Sequence, residues 1–347
     1  MRSQGKDALL RVQRHRRQQQ QDKRQNPMKI LANDGIDATG KKALEALGCI
    51  VVTDKVAQEN LADAINAEGY EGLLVRSATT ARKDLIDACP GLKFIGRGGV
   101  GIDNIDAEYA RSKGVDVFNT PASSSQAVAE LVMSVLFAAA RGVYDSGRHM
   151  YSADGKAFET LKKKYSKGFE LRGKTIGIVG FGRIGQSLAS YALGCGMRVI
   201  ACDRTTDEYK TLTIDLGGQN VHVNVPYMPF HALLREADVV SLHVPKQPDG
   251  SAVIGNEEFQ YLREGSILIN TSRGGVIDEE ALIEHLNSGK VRAACLDVFV
   301  GEPNANPTLL AHPGIIATPH IGASTVEAQE RIGMEIAENV KRIIDNR

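Results

Sequence analysis

Five polar residues stand at the ends of β-type runs: Asp203, His243, Arg273, Asp297 and His320. In an open α/β sheet, ligands bind beyond the carboxyl ends of the strands, so residues in these positions are the ones that can meet a bound molecule. An arginine there can hold an anion, a histidine can move a proton near neutral pH, and an aspartate can accept from a hydroxyl or an amide. Each also has a plainer reading. An arginine after a strand commonly forms a surface ion pair, and Asp297 could cap a turn. His243 competes with His320 for the proton-moving role, whereas His15, His149, His222, His231, His285 and His312 have no comparable context.

The elements that would position these residues are organised around residues 174–203. An apolar run at 175–179 opens into GxGxxG at Gly180, Gly182 and Gly185, and a helix-like segment leads to a second β-type run, 199–201, closed by Asp203. Glycines allow the tight strand-to-helix turn, the close approach of backbone N–H groups to a pyrophosphate, and close packing of helix on strand. The helix N-terminus adds partial positive charge. Asp203, 18 residues past the last glycine, can accept from both adenine-ribose hydroxyls and would repel a 2′-phosphate. The pattern predicts a dinucleotide site that favours NAD over NADP, with Arg204 next door arguing the other way.

Upstream, short β-type runs at 30–32, 50–53, 73–75, 94–95 and 115–118 alternate with helical ones such as 41–47 and 107–113. Regular alternation implies crossover units and a parallel sheet, here without dinucleotide glycines of its own. Downstream, runs at 239–243, 267–270, 293–297 and 315–317 complete a doubly wound sheet. The expected fold class is α/β in two domains, a Rossmann-type doubly wound parallel sheet inserted in a smaller flavodoxin-like substrate domain. The expected boundaries are 28–122 for the first part of the substrate domain, 123–316 for the NAD-binding domain, and 317–347 for a C-terminal helix returning to the substrate domain. Ser123 with Gln126, and Ser324 with Glu327, read as capping boxes, and Ile332, Ile336 and Val340 share one face of the last helix. Residues 211–224 read as a long polar loop.

Basic and acidic residues number 42 each, which gives no global field for nucleic acid or membrane. Five scattered cysteines form no CxxC pair, so neither a metal site nor a disulfide framework is expected, and a reducing cytoplasm suits them. The longest apolar run, 127–140, has 14 residues and includes Glu130, against roughly 20 needed to span a bilayer, and reads as a buried or interface helix. Residues 1–27 carry eight Lys or Arg and a glutamine run, and read as a disordered basic tail. The lysine-rich stretch 151–167 reads as a solvated connection.

Three segments carry a family resemblance. ILINTSRGGVIDEEAL (267–282), LDVFVGEP (296–303) and TPHIGAST (318–325) are similar, in order and in distance from GFGRIG, to the signatures of the D-2-hydroxyacid dehydrogenases. VRSATT (75–80), GRGGVGIDNID (96–106) and the helix opened by GAST resemble the phosphoglycerate dehydrogenase branch of that family.

The resemblance implies an oxidoreductase in which Arg273 binds the substrate carboxylate or the carbonyl oxygen being made. His320 would take the C2 hydroxyl proton as hydride leaves, and Glu302 would orient His320 and raise its basicity. It implies cofactor contacts from Thr79, Gly180, Gly182, Arg183, Ile184, Gly185, Asp203, Val244, Thr271, Ser272, Arg273, Asp297, His320 and Gly322, with Asp297 accepting from the nicotinamide carboxamide. Arg76 and Ser77 would hold a distal phosphate, and N–H groups of the Gly98 to Gly101 loop, including Gly99, Val100 and Gly101, would hold the carboxylate with Asn104 nearby. The branch implies NAD-dependent oxidation of 3-phospho-D-glycerate to 3-phosphohydroxypyruvate, the entry to serine biosynthesis, by a cytoplasmic homodimer. A hydroxypyruvate or glyoxylate reductase of the same family is the alternative, and an NAD-sensing, corepressor-like binding protein a remote one. The chain ends at Arg347 without the regulatory ACT domain of many relatives, so feedback inhibition by serine is not expected.

Overall fold

The computed structural model describes residues 27–152, 157–205, 207–215 and 217–346. All of the basic tail except Pro27 lies outside the described residues. The chain forms two compact units, one made of Met1–Ser124 with Thr325–Arg347, the other of Ser125–Ser324.

In the first unit, β1 (Lys29–Ala32), β2 (Ile50–Val52), β3 (Gly72–Val75), β4 (Phe94–Arg97) and β5 (Asp116–Asn119) form a parallel sheet in the order β2-β1-β3-β4-β5. This is the flavodoxin-like order. Successive residues point to opposite faces. Leu31, Leu73, Val75 and Ile95 pack against α2 (Leu61–Glu68), α3 (Lys83–Ala88) and α4 (Ala107–Ser112). Ile30, Ala32, Leu74 and Phe94 pack against α1 (Ala38–Ala46) and the last helix, α13 (Val326–Asp345), whose Ile332, Ile336 and Val340 are buried. The two helices meet backbone to backbone, since a Cβ on Gly40 would lie 2.4 Å from Gly333 Cα.

In the second unit, α5 (Ser125–Arg141), α6 (Val143–Ser152) and α7 (Phe158–Lys164) precede the glycine turn. The sheet runs β13-β12-β11-β10-β6-β7, all parallel, with β6 (Thr175–Val179), β7 (Arg198–Cys202), β10 (Val239–Leu242), β11 (Ser266–Asn270), β12 (Val291–Leu296) and β13 (Ile315–Ala317). Ile176, Ile178, Val199, Ile267 and Ile269 share a core with α5 and α8 (Arg183–Gly194). Val179, Ile200, Val240, Leu242 and Leu268 share the other with α9 (Phe230–Glu236), α10 (Asn256–Tyr261), α11 (Glu279–Ser288) and α12 (Pro307–Ala311). No single described helix is long and apolar enough to cross a membrane.

Four local expectations are corrected. Residues 211–224 belong to an antiparallel hairpin, β8 (Tyr209–Asp215) and β9 (Asn220–Pro226), because Leu212 and Val225 alternate with polar residues and bury themselves in the core beside β7. Gly217 and Gly218, at φ +65° and +90°, make its turn, and a bridge from Tyr227 to Ala201 adds it to the sheet edge. Ser123 caps nothing: its hydroxyl donates to Glu335 of α13, and the Gln126 amide bonds to Glu130 and Tyr191. The cap of α13 is Thr325 rather than Ser324, its Oγ1 accepting from Ala328 N at 3.1 Å. Finally, the units divide after Ser124 and Ser324, not at 122 and 316, because Asp297 binds residues 318–322 to the second unit.

Candidate active site

Asn270, the last residue of β11, builds the turn that carries Arg273. Its Oδ1 accepts from Ser272 N and Oγ at 3.0 and 2.8 Å, and its Nδ2 donates to Arg273 O at 2.9 Å. Arg273 Nη1 donates to Ser272 O at 2.6 Å. The turn comes so close to the next loop that a Cβ on Gly274 would sit 1.9 Å from Phe299 O, so only glycine fits there.

That neighbouring loop presents Glu302. Its Oε1 accepts from Phe299 N at 2.8 Å, and its Oε2 pairs with His320 Nδ1 at 2.7 Å. Val300 N donates to Glu279 Oε1 at 2.7 Å. Burial, reinforced by the charges of Asp278 and Glu302, raises the Glu279 pKa in spite of that bond. His320 has φ +54°, a left-handed conformation rare outside glycine. Asp297 imposes it from both sides: the buried carboxylate accepts from Thr318 Oγ1 at 2.6 Å, Ile321 N at 2.8 Å and Gly322 N at 2.8 Å. A strained backbone held by this many bonds is characteristic of a working site. Nδ1 is committed to Glu302, which leaves Nε2 as the nitrogen that can exchange a proton. Asp297 thus clamps the turn, and its Oδ2, which accepts from Gly322 N alone among the described residues, keeps a lone pair that a nicotinamide carboxamide could use.

At the glycine turn, Gly180 has φ +88°, and a Cβ there would meet His243 O at 2.4 Å. A Cβ on Gly185 would meet Gly180 O at 2.5 Å, whereas one on Gly182 would point into open space. No side chain caps α8 at Gly182. Asp203 Oδ2 accepts from Phe181 N, and Oδ1 from Arg204 N, each at 2.7 Å. His243 bonds through Nε2 to Ser241 Oγ at 2.9 Å, and burial pushes its pKa down to about 4. It is therefore uncharged at neutral pH, packed behind the turn, and does not rival His320. Val244 lies against the turn from the same side, 2.9 Å from the position of a Gly180 Cβ.

In the first unit, Arg76 and Ser77 follow β3, and three residues hold their turn. Asp34 Oδ2 accepts from Arg76 N at 2.7 Å and Thr79 N at 3.0 Å, while Oδ1 accepts from Thr79 Oγ1 at 2.7 Å and Lys55 Nζ at 3.3 Å. Asn104 Nδ2 donates to Arg76 O at 2.8 Å and Thr79 O at 2.6 Å. Arg97 Nε donates to Arg76 O at 3.3 Å. Thr79 is buried, its hydroxyl donating to Asp34 Oδ1 and accepting from Asn33 Nδ2, so it helps hold the frame of this turn. Asn104 has no donor left for a carboxylate, since both amide hydrogens serve backbone carbonyls and only the buried Oδ1 is unused. The loop expected to hold a carboxylate is partly spent as well. Gly98 N bonds to Val75 O, and Gly99 N to Thr120 Oγ1, which leaves Val100 and Gly101 as its donors.

Residues 133–322 match the family described as D-isomer specific 2-hydroxyacid dehydrogenase, NAD binding domain. Over 317 residues the chain is 40% identical to D-3-phosphoglycerate dehydrogenase of Methanocaldococcus jannaschii, which is 91% of this chain and 57% of that protein. Over 315 residues it is 40% identical to hydroxypyruvate reductase of Thermotoga maritima, 90% of this chain and 97% of that one. A glyoxylate reductase from Paecilomyes thermophila has a similar structure, with TM-score 0.77 and 27% identity over 92% of this chain and 95% of its own.

The chain belongs to the D-isomer specific 2-hydroxyacid dehydrogenase family. It thus spans little more than half the length of the phosphoglycerate dehydrogenase it matches and nearly all of the hydroxypyruvate reductase.

An NAD(P) cofactor suits the residues present. The uncapped first turn of α8 and the open side of Gly182 offer N–H groups to a pyrophosphate. Each Asp203 oxygen keeps a lone pair for a ribose hydroxyl, and Thr271 Oγ1, buried at the end of β11, has no partner in the described residues. Arg183 and Ile184 open α8, and Gly322 sits beneath the Asp297 carboxylate.

Sequence reasoning missed Asn33, Asp34, Arg97, Asn270 and Glu279. The signal for most of them was available: Asn33 and Asp34 follow β1, Arg97 ends β4 and Asn270 ends β11, where the strand-end rule applies. Glu279 lies in the first turn of α11 and carried no such mark.

Proposed function

We propose that the protein oxidises 3-phospho-D-glycerate with NAD at C2. The observation that carries the dehydrogenase reading is the Glu302–His320 pair at 2.7 Å on a backbone locked by Asp297, in the unit that also holds Arg273. His320 Nε2 takes the C2 hydroxyl proton, and Glu302, anchored by Phe299 N–H, steadies the imidazolium that results. Arg273 binds the substrate carboxylate or the carbonyl oxygen as it forms. A nicotinamide, when bound, supplies the acceptor for the C2 hydride. Arg76 and Ser77 hold the phosphate, Arg76 as a charged fork of donors and Ser77 as an exposed hydroxyl.

Purified protein should reduce NAD with 3-phospho-D-glycerate and show lower kcat/KM with NADP. Turnover of glycerate, hydroxypyruvate or glyoxylate without any activity on the phosphorylated pair, in either direction, would sink the phosphoglycerate reading. It would leave the hydroxypyruvate reductase reading, to which the 40% identity with the Thermotoga maritima enzyme also points. We also propose self-association through α5–α7, where Phe137, Val143, Tyr144, Met150, Tyr151 and Phe158 are exposed. Gel filtration should give a dimer, and a stable monomer contradicts this.

A further inference from the structure

We propose that Asp34 is a positioning residue that sets the anion-binding geometry of the turn carrying Arg76 and Ser77. The inference rests on the reading of Arg76 above and extends it to a residue that touches no substrate. A side chain that grips a phosphate is only as well aimed as the backbone beneath it. The Arg76 peptide groups are held from opposite sides, the N–H by Asp34 and the C=O by Asn104 and Arg97. With both fixed, the Cα–Cβ direction of Arg76 is fixed too.

The N–H side demands a carboxylate. Four donors converge on its two oxygens: Arg76 N, Thr79 N, Thr79 Oγ1 and Lys55 Nζ. A carboxylate has about four acceptor positions, whereas an asparagine amide has one oxygen and would aim an NH2 at donors. The Asp34 side chain is only 5% exposed. Burial works to raise its pKa, but the bonds from Arg76, Thr79 and Lys55 outweigh that and hold the carboxyl below its ordinary value. An anion this close to a phosphate site would weaken phosphate binding by repulsion unless it did something else there. Spreading its charge over four donors limits the repulsion and rigidifies the turn.

The test is a cycle of D34N, R76A and the double variant, with kcat and KM measured for 3-phosphoglycerate and for glycerate. In D34N, KM for the phosphorylated substrate should rise about 3- to 30-fold, the scale of a charged hydrogen bond that is misaligned, with kcat within about twofold and KM for glycerate nearly unchanged. In the R76A background, the same change should add less than about twofold, because the group Asp34 aims is gone. Folded D34N with an unchanged KM, or effects that multiply in the double variant, would overturn the proposal. If D34N does not fold, Thr79→Val removes one donor and leaves the carboxylate. It should raise KM for the phosphorylated substrate alone, and an unchanged KM overturns the proposal just as firmly. R76A with an unchanged KM overturns the reading of Arg76, and is recognised from that single variant.

Discussion

His320 has one ring nitrogen tied to Glu302 and its backbone pinned by Asp297, so its remaining nitrogen is aimed without any substrate to induce it. His320→Ala should lower kcat by about 10²- to 10⁴-fold while NAD affinity, followed by fluorescence titration, stays within about twofold. Equal loss of both would reassign the histidine to cofactor binding. His243 gives a prediction of a different kind. Its folded pKa of about 4 lies below the ordinary 6.5, so between those values the unfolded chain binds a proton that the folded chain refuses. Stability therefore rises with pH across that window and is lost as pH falls from about 6.5 toward about 4, by up to about 3 kcal/mol. Urea titrations at pH 7 and pH 4.5 should show a smaller difference in His243→Gln than in the parent, and an equal difference would contradict it. These two histidines also mark what could be read in advance. Both follow strands, and only motif resemblance favoured His320, because the burial that neutralises His243 depends on packing that no spacing reveals.

Helix α13 and helix α1 are in contact through Gly40 and Gly333, with no side chain between them. Gly40→Ala should cost about 1–3 kcal/mol by overpacking, against a small gain in helix propensity, and denaturant unfolding of the first unit should move accordingly. An unchanged midpoint would mean the helices can separate freely. The elements themselves were largely legible, since every parallel strand coincides with an apolar run and Gly48, Gly69 and Gly289 stop helices where left-handed residues are needed. The hairpin of β8 and β9 was not. Its polar residues outnumber the apolar ones, and only the alternation of Leu212 and Ile214 with Val221, Val223 and Val225 carries the strand signal. Caps slipped by a residue because Ser324 and Thr325 have the same chemistry, and the choice between them is made by where α13 packs.

At the scale of the chain, the glycine turn, Asp203 and the other cofactor-binding residues expected from the sequence lie in Ser125–Ser324, with Thr79 alone in the other unit. NAD at about 100 times its Kd should stabilise that unit by about 2.7 kcal/mol. Hydrogen exchange should slow in β6, β7 and α8 on adding NAD alone, and slowing confined to β1–β5 would contradict the assignment. The first unit has another property that follows from its composition out of two distant stretches. Ile332, Ile336 and Val340 of α13 cover Ile30, Leu74 and Phe94, and the ribosome makes them only after Ser125–Ser324. At about 5–20 residues per second, β1–β5 wait roughly ten to forty seconds, the time needed to make Ser125–Ser324, with one face of their sheet incompletely covered. Chaperone demand during synthesis should therefore fall on β1–β5, while the inserted unit, made later, can complete its core before they complete theirs.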